Sequence, residues 1–389
     1  MQQLGWLRFN ECKMRMTGRL IAYALFAATT LAAAAATSTS ASPHKTPGFT
    51  YRHDQIPTGP WSAHIVTIDR SNTNLEVHTT LPPGHRFGLA NLSTQVKSLG
   101  KSEGHVLAAI NGDYYEGHSP YRGDPQGLQI MHGELVSAPF DWTCFWIAPN
   151  GQPNMGKVDA RFRVTTADGS LFPFGLNAAR ANDEAVIYTS VVGPTTHARG
   201  GIELILEPWS VGPQLPFRAG ETYFARVVEI NKTGNSTTDP NRLVLSIGPK
   251  LLKTISPPAV GDRIRISTAT TPGLKNVPTA IGGGPAILRD RKPAFPHQAR
   301  VRHPRSVIAW NDKSIFLVEI DGRQRNLSVG MTFEELSAYL VKIGCTDAMC
   351  LDGGGSSTLW ALGQVMNNPC EGAERGAANG LVVISKENH

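Results

Sequence analysis

One carboxylate stands at the head of three glycines and three hydroxyls in the stretch CLDGGGSST, which begins at Cys350. Glycine reaches positive φ and lets backbone N–H groups come close to a ligand. A turn through Gly353, Gly354 and Gly355, followed by Ser356, Ser357 and Thr358, can present several donors to an anion such as phosphate. Asp352 beside it can serve as acid, base, nucleophile, metal ligand or turn-former. A nucleotide-binding loop of the G-K-[ST] kind is excluded, because no lysine closes the motif.

Four other stretches carry chemistry-bearing side chains. NGDYYEG (111–117) offers Asn111, Asp113 and Glu116. Gly282, Gly283 and Gly284 precede Pro285 in a second glycine triplet. RVRHPRS (300–306) gathers Arg302, His303 and Arg305, and arginine can hold phosphate through two parallel hydrogen bonds. GAERG (372–376) adds Glu374 and Arg375. Taken singly, each also reads as an ordinary turn, a bulged strand or a solvated basic loop. Asp113, Asp352 and backbone carbonyls offer an oxygen set for Ca²⁺ or Mg²⁺, although no ligand spacing demands a metal. HExxH and CxxC are both absent.

The elements around these residues are mostly strands. WSAHIVTIDR and NLEVHTTLP alternate, and Ser71 and Asn72 split them. NLSTQVKSLGKSEG (91–104) predicts a helix, and HVLAAI then reads as a buried strand running into Asn111. GLQIMHGELV predicts a hairpin about His132 and Gly133. TFEELSAYLVKIG (332–344) is the clearest helix. Thr332 and Glu335 form a capping-box pattern, Phe333, Leu336, Leu340 and Ile343 share a face, and Gly344 ends it. DAMCL then leads into Asp352. Helix, apolar strand and polar glycine turn thus occur twice, at 91–116 and 332–358. Between them, from about 150 to 275, short strands and Gly, Asn and Pro turns suggest a barrel or sandwich. The expected fold is α+β: mixed sheets with few helices in two related halves (61–149 and 276–389), interrupted by an all-β insertion at 150–275.

The chain has 389 residues. Arg15 and Arg19 precede an alanine-rich apolar run at 20–36, the pattern of a secretory leader cleaved between Ala34 and Ala41. Met14 and Met16 are alternative starts. Residues 42–60 read as a flexible lead-in. Cleavage would remove Arg8, Lys13, Arg15, Arg19 and Glu11, taking the net charge from +6 to about +3. A near-neutral surface argues against a nucleic-acid partner. No second segment is apolar enough to predict a membrane span. Cys144, Cys345, Cys350 and Cys370 would remain, an even number in an exported chain, which predicts two disulfides.

In order along the chain, NGDYY, GLQI, AIGGGPAIL, HPRS, VEIDGR, DAMCLDGGGSST and ERGAANGLVV resemble the phosphodiester glycosidase family. The resemblance spans about 61–384 and is most specific over 279–384. It implies hydrolysis of a sugar-1-phosphodiester at the glycosidic bond, with a carbohydrate or sugar-phosphate substrate. Its motifs place Asn111, Asp113, Gly283, Gly284, Arg305, Asp321, Arg323, Asp352, Gly354, Ser356 and Arg375 at or near a pocket. The candidate catalytic carboxylates are Asp352, Asp113 and Glu374. Arg305, Arg323 and the turn at 353–356 are the expected phosphate ligands. Ser306 replaces the threonine usual after the arginine. Three rivals stay open: a glycosidase for uncharged glycans, a phosphodiesterase, and a non-catalytic glycan binder using Trp61, Trp142, Trp146 or Trp209.

Overall fold

Near-continuous burial along Trp61–Asp69 and Ser314–Ile320 covers both faces of each strand, so both must lie inside a layered structure. In the computed structural model they are neighbours in a seven-stranded antiparallel sheet. Its order is Phe49–Ile56, Trp61–Asp69, Ser314–Ile320, Arg305–Trp310, Asp347–Cys350, Ala286–Arg289 and Lys292–Pro293. The structure describes residues 46–209, 212–295 and 300–386, so the expected leader lies outside the described residues. Among these residues no helix is long and apolar enough to cross a membrane.

Helix α2 (Phe333–Lys342) covers one face of this sheet through Leu336 and Leu340, which pack with Val307, Val318 and Ala348. Its capping box forms as predicted: Thr332 accepts from Glu335 N, and Glu335 accepts from Thr332 N. The other face packs Val66, Ile308 and Leu317 against Ile110, Leu381 and Val383 of a five-stranded sheet. That second sheet runs Gln364–Val365, Leu359–Ala361, His105–Asn111, Gly380–Ser385 and Leu75–Thr79. A third sheet, also of five strands, is centred on Thr279–Gly282. An eight-stranded sheet is built entirely from strands between Arg163 and Ser267, around a core that includes Phe162, Phe174, Phe217 and Tyr223. The fold is thus β-rich α+β, with two α-helices among the described residues.

Both helix–strand–turn units form. Helix α1 (Leu92–Ser98) precedes His105–Asn111, and α2 precedes Asp347–Cys350. The first is shorter than the predicted 91–104: Leu99 turns extended, and Lys101–Glu103 is a separate 3₁₀ turn. The two strands lie in different sheets, yet both end at one place, where Asp352 N donates to Gly112 O at 2.8 Å.

Two expectations fail. The lead-in at 42–60 is not loose from Phe49 onward: Phe49–Ile56 pairs residue for residue with Trp61–Asp69. Phe49 and Tyr51 pack on the core, and alternation along FTYRHDQI suffices to hold an edge strand. The predicted disulfides do not form. Cys144, Cys345 and Cys350 are buried as small apolar residues in two separate cores, and Cys370 is half-buried with its thiol toward Gly354 O. A buried thiol costs little without a partner. We expect all four to react with a thiol reagent in denaturant without reductant. Protection of two or four of them would restore the bridges.

Candidate active site

The site begins with one buried amide. Asn111 ends the central strand of the second sheet, and its side chain reaches across to the first. Its Nδ2 donates to Asp352 O at 2.6 Å, and its Oδ1 accepts from Ser306 Oγ at 2.6 Å and from Thr358 N at 2.9 Å. Three chain segments therefore meet on one side chain. The hydroxyl that Ser306 retains in place of a threonine is the group used.

Two residues on, Asp113 is sealed. It is 1% exposed, with Oδ1 accepting from Tyr114 N and Oδ2 from Gly127 N. Its own N–H donates to Asn379 Oδ1. Burial, opposed by those two N–H donors and reinforced by the charge of Asp352, raises its pKa to about 7. Each Asp113 oxygen accepts one backbone N–H.

Asp352 itself is half-buried at the mouth of the turn. Burial raises its pKa as well; Ser356, Arg375 and the Gly353 N–H oppose the rise. Ser356 faces it without closing a hydrogen bond, and the hydroxyl oxygens of Ser356 and Ser357 are both buried without a partner. The backbone is less free than expected. Gly354 N donates to Pro304 O, while Ser356 N donates to Gly353 O and Ser357 N to Gly354 O, so three of the donors are committed, two of them within a 3₁₀ turn. What the glycines provide is close approach. A Cβ on Gly354, whose φ is +65°, would stand 2.9 Å from Arg323 Nη2, and one on Gly355 would overlap the Arg375 guanidinium.

Arg323 and Arg375 thus flank the turn, both exposed. Arg375 is paired with Glu371, and Arg323 Nη2 lies 3.2 Å from His303 Nδ1. Burial and the charges of Arg305 and Arg323 lower the pKa of His303. Arg305 is more tightly held than its motif suggested. Its Nε donates to Met331 O, its Nη2 donates to Val301 O, and its guanidinium lies 4.2 Å from the Phe333 ring centroid. Gly283 and Gly284 line the strand beside Asp352, with Gly284 N donating to Cys350 O.

Two candidates stand apart. Glu374 accepts from Ser93 N at the start of α1, where the Asn91 side chain makes no cap, so its carboxylate caps a helix. Asp321 lies behind the turn with Ser62 and His64. Residues not singled out from the sequence also contribute. Tyr114 rests edge-on against the exposed Trp142 at 5.1 Å, and Asn379 fixes Asp113 while holding Gln129. The Asn-Gly before a buried strand in AANGLVV, echoing AAING at 108–112, was the available signal for Asn379.

Comparison with known proteins fits this arrangement. Residues 225–384 match the phosphodiester glycosidase family. A SPbeta prophage-derived uncharacterized protein of Bacillus subtilis, YomE, is 31% identical over 103 residues, which cover 25% of this chain and 16% of that protein. A hypothetical protein from Synechocystis shares the fold at a TM-score of 0.67 and 20% identity, over 87% of this chain and 62% of that one. A candidate exported protein of Burkholderia pseudomallei K96243 does so at 0.65 and 21%, over 84% and 74%. The chain therefore spans less than two thirds of the Synechocystis chain and a small part of the Bacillus protein.

Replacing Asn111 with Ala would leave Ser306 Oγ, Thr358 N and Asp352 O buried and unpaired. We expect it to lower the unfolding free energy by about 3 kcal/mol or more; a wild-type urea midpoint would remove the junction's importance. For Asp113, the folded chain holds the proton up to about pH 7, whereas the unfolded chain releases it near the ordinary 3.8. Its contribution to stability is full below that lower value and is lost as pH rises toward 7. Stability should therefore fall between roughly pH 4 and pH 7, and Asp113→Asn should flatten that slope. An unaltered slope in the variant would mean that Asp113 is already ionised.

Proposed function

We propose that this chain is an exported phosphodiester glycosidase that hydrolyses a sugar-1-phosphodiester at the C1–O bond. The observation that carries the proposal is the glycine turn. It sets two exposed guanidinium groups and the unpartnered Ser356 hydroxyl by one half-buried carboxylate, with a second unpartnered hydroxyl, Ser357, next in the chain. The match over 225–384 supports the same reading, and the leader pattern at 1–41 supports export.

A phosphomonoester is a good leaving group, so it needs cations more than a strong general acid. In this scheme Arg323, Arg375, Ser356 and Ser357 hold the phosphate. Asp352 takes a proton from water as the water oxygen bonds to C1 and the phosphate oxygen departs with the bonding electrons. Asp352 also stabilises the oxocarbenium-like transition state by its charge. Asp113 and Asn111 hold the two turns in register, and Arg305 contributes positive potential from behind. Beside Tyr114, Trp142 forms one wall of a cleft of about 810 Å³ whose other walls include Tyr121 and Asp124, giving room for the aglycone.

Hydrolysis of an N-acetylglucosamine-1-phosphodiester in ¹⁸O water tests the bond cleaved. Label in the sugar is expected; label in the phosphate would make the chain a phosphodiesterase. Asp352→Asn should lower kcat by roughly 10²–10⁴-fold and Arg323→Ala by about 10²-fold or more. Near-wild-type rates in both would dismiss the scheme.

A further inference from the structure

Behind the glycine turn lies a second polar cluster that the reaction does not use. The two-residue period of a strand puts Ser62 and His64 on the same face as Val66 and Ile68, and Glu319 and Asp321 on the same face as Leu317 and Ile315. His64 and Glu319 are direct cross-strand partners. Positions that the pattern gives to the core thus carry a histidine and two acids, all buried.

Their partners are uneven. Asp321 Oδ2 accepts from Ser62 Oγ at 2.8 Å and lies 3.1 Å from His64 Nε2, while its Oδ1 accepts from Asn368 N. His64 Nδ1 faces Tyr51 OH at 2.8 Å, and the His53 ring stacks on His64 at 4.2 Å. Glu319 is 0% exposed, and neither of its oxygens has a hydrogen-bond partner. Asn367 approaches it, but the Asn367 amide makes its bonds to Ser357 O and Leu359 N. An isolated buried carboxylate is costly, and a second one beside it adds to the cost.

We propose that His64, Glu319 and Asp321 bind a divalent transition metal ion, Mn²⁺ or Zn²⁺. One ligand atom from each residue can be chosen so that all three lie within 4.8 Å of one another. A dication would neutralise the two carboxylates and give Glu319 the partner it lacks. Imidazole among the ligands favours a transition metal over Ca²⁺ or Mg²⁺, which prefer all-oxygen sets. Tyr51 on Nδ1 leaves Nε2 as the ligand atom, the usual outer support of a metal-bound histidine. The ion would join Phe49–Ile56, Trp61–Asp69 and Ser314–Ile320 to the loop 367–370. That loop touches the glycine turn through Asn367 to Ser357 and through Cys370 to Gly354.

The test uses the whole folded chain, stripped with chelator, loaded with Mn²⁺ or Zn²⁺, desalted and analysed for bound metal. One equivalent should remain with the wild type and less than about a tenth of that with Glu319→Gln or Asp321→Asn, with a higher melting temperature only in the loaded wild type. With Mn²⁺, electron spin-echo spectra of the wild type should show coupling to one imidazole ¹⁴N, absent in His64→Gln. Should the variants fail to fold, the wild-type spectrum decides. Absence of stoichiometric metal, absence of the nitrogen coupling, or full retention by folded Glu319→Gln would overturn the site; in that case Glu319 is simply a protonated acid.

Discussion

The structure depends on a single buried amide. Asn111 offers one donor group and one acceptor, and three strands' worth of chain arrive to use them. Two sheets packed face to face through Ile110, Leu317 and Leu381 resist separation, but apolar contact alone does little to stop them sliding. Directional bonds with no water to replace them do so. The turn after His105–Asn111 and the turn after Asp347–Cys350 are held in one relation to each other. Every distance among Asp113, Asp352 and the glycines follows from that relation.

Around this joint the charges are graded by depth. Asp113 is sealed and braced by N–H donors, Asp352 sits half-way out, and Arg323 and Arg375 lie in solvent. The same environment that makes ionisation of Asp113 costly leaves Asp352 beside a cation. Two carboxylates a few residues from the ends of equivalent strands thereby become chemically different groups.

Much of this was legible in the sequence. The Thr332–Glu335 box, the His132–Gly133 hairpin and the alternating strands are local signals, and each formed as read. The convergence of NGD and DGGGSS was implied by the family resemblance that the order of the motifs carries. What could not be read depends on partners far away in the chain. The retention of Arg305 by Met331 and Val301, the use of Glu374 as a cap for α1, and the burial of Asp113 under Gly127 and Asn379 leave no local pattern. The cysteines misled because an even count describes pairing only when the side chains meet. Phe49–Ile56 misled because its polar residues point outward along an edge. Glu319 is the instructive case: its periodicity said core while its chemistry said surface, and the conflict was visible in VEID.

The eight-stranded sheet fills chain that runs between two residues held together: Asn111 and Asp352 are 241 positions apart and hydrogen-bonded. Closing a loop costs entropy only as the logarithm of its length, about 0.6 kcal/mol for each doubling. A whole sheet can therefore lengthen the path between the two turns at small thermodynamic expense. The kinetic consequence is larger, because loop closure must be paid before contacts of such separation reward it, which slows folding. The joint at Asn111 therefore makes the geometry of the candidate site depend on residues from far-apart parts of the chain.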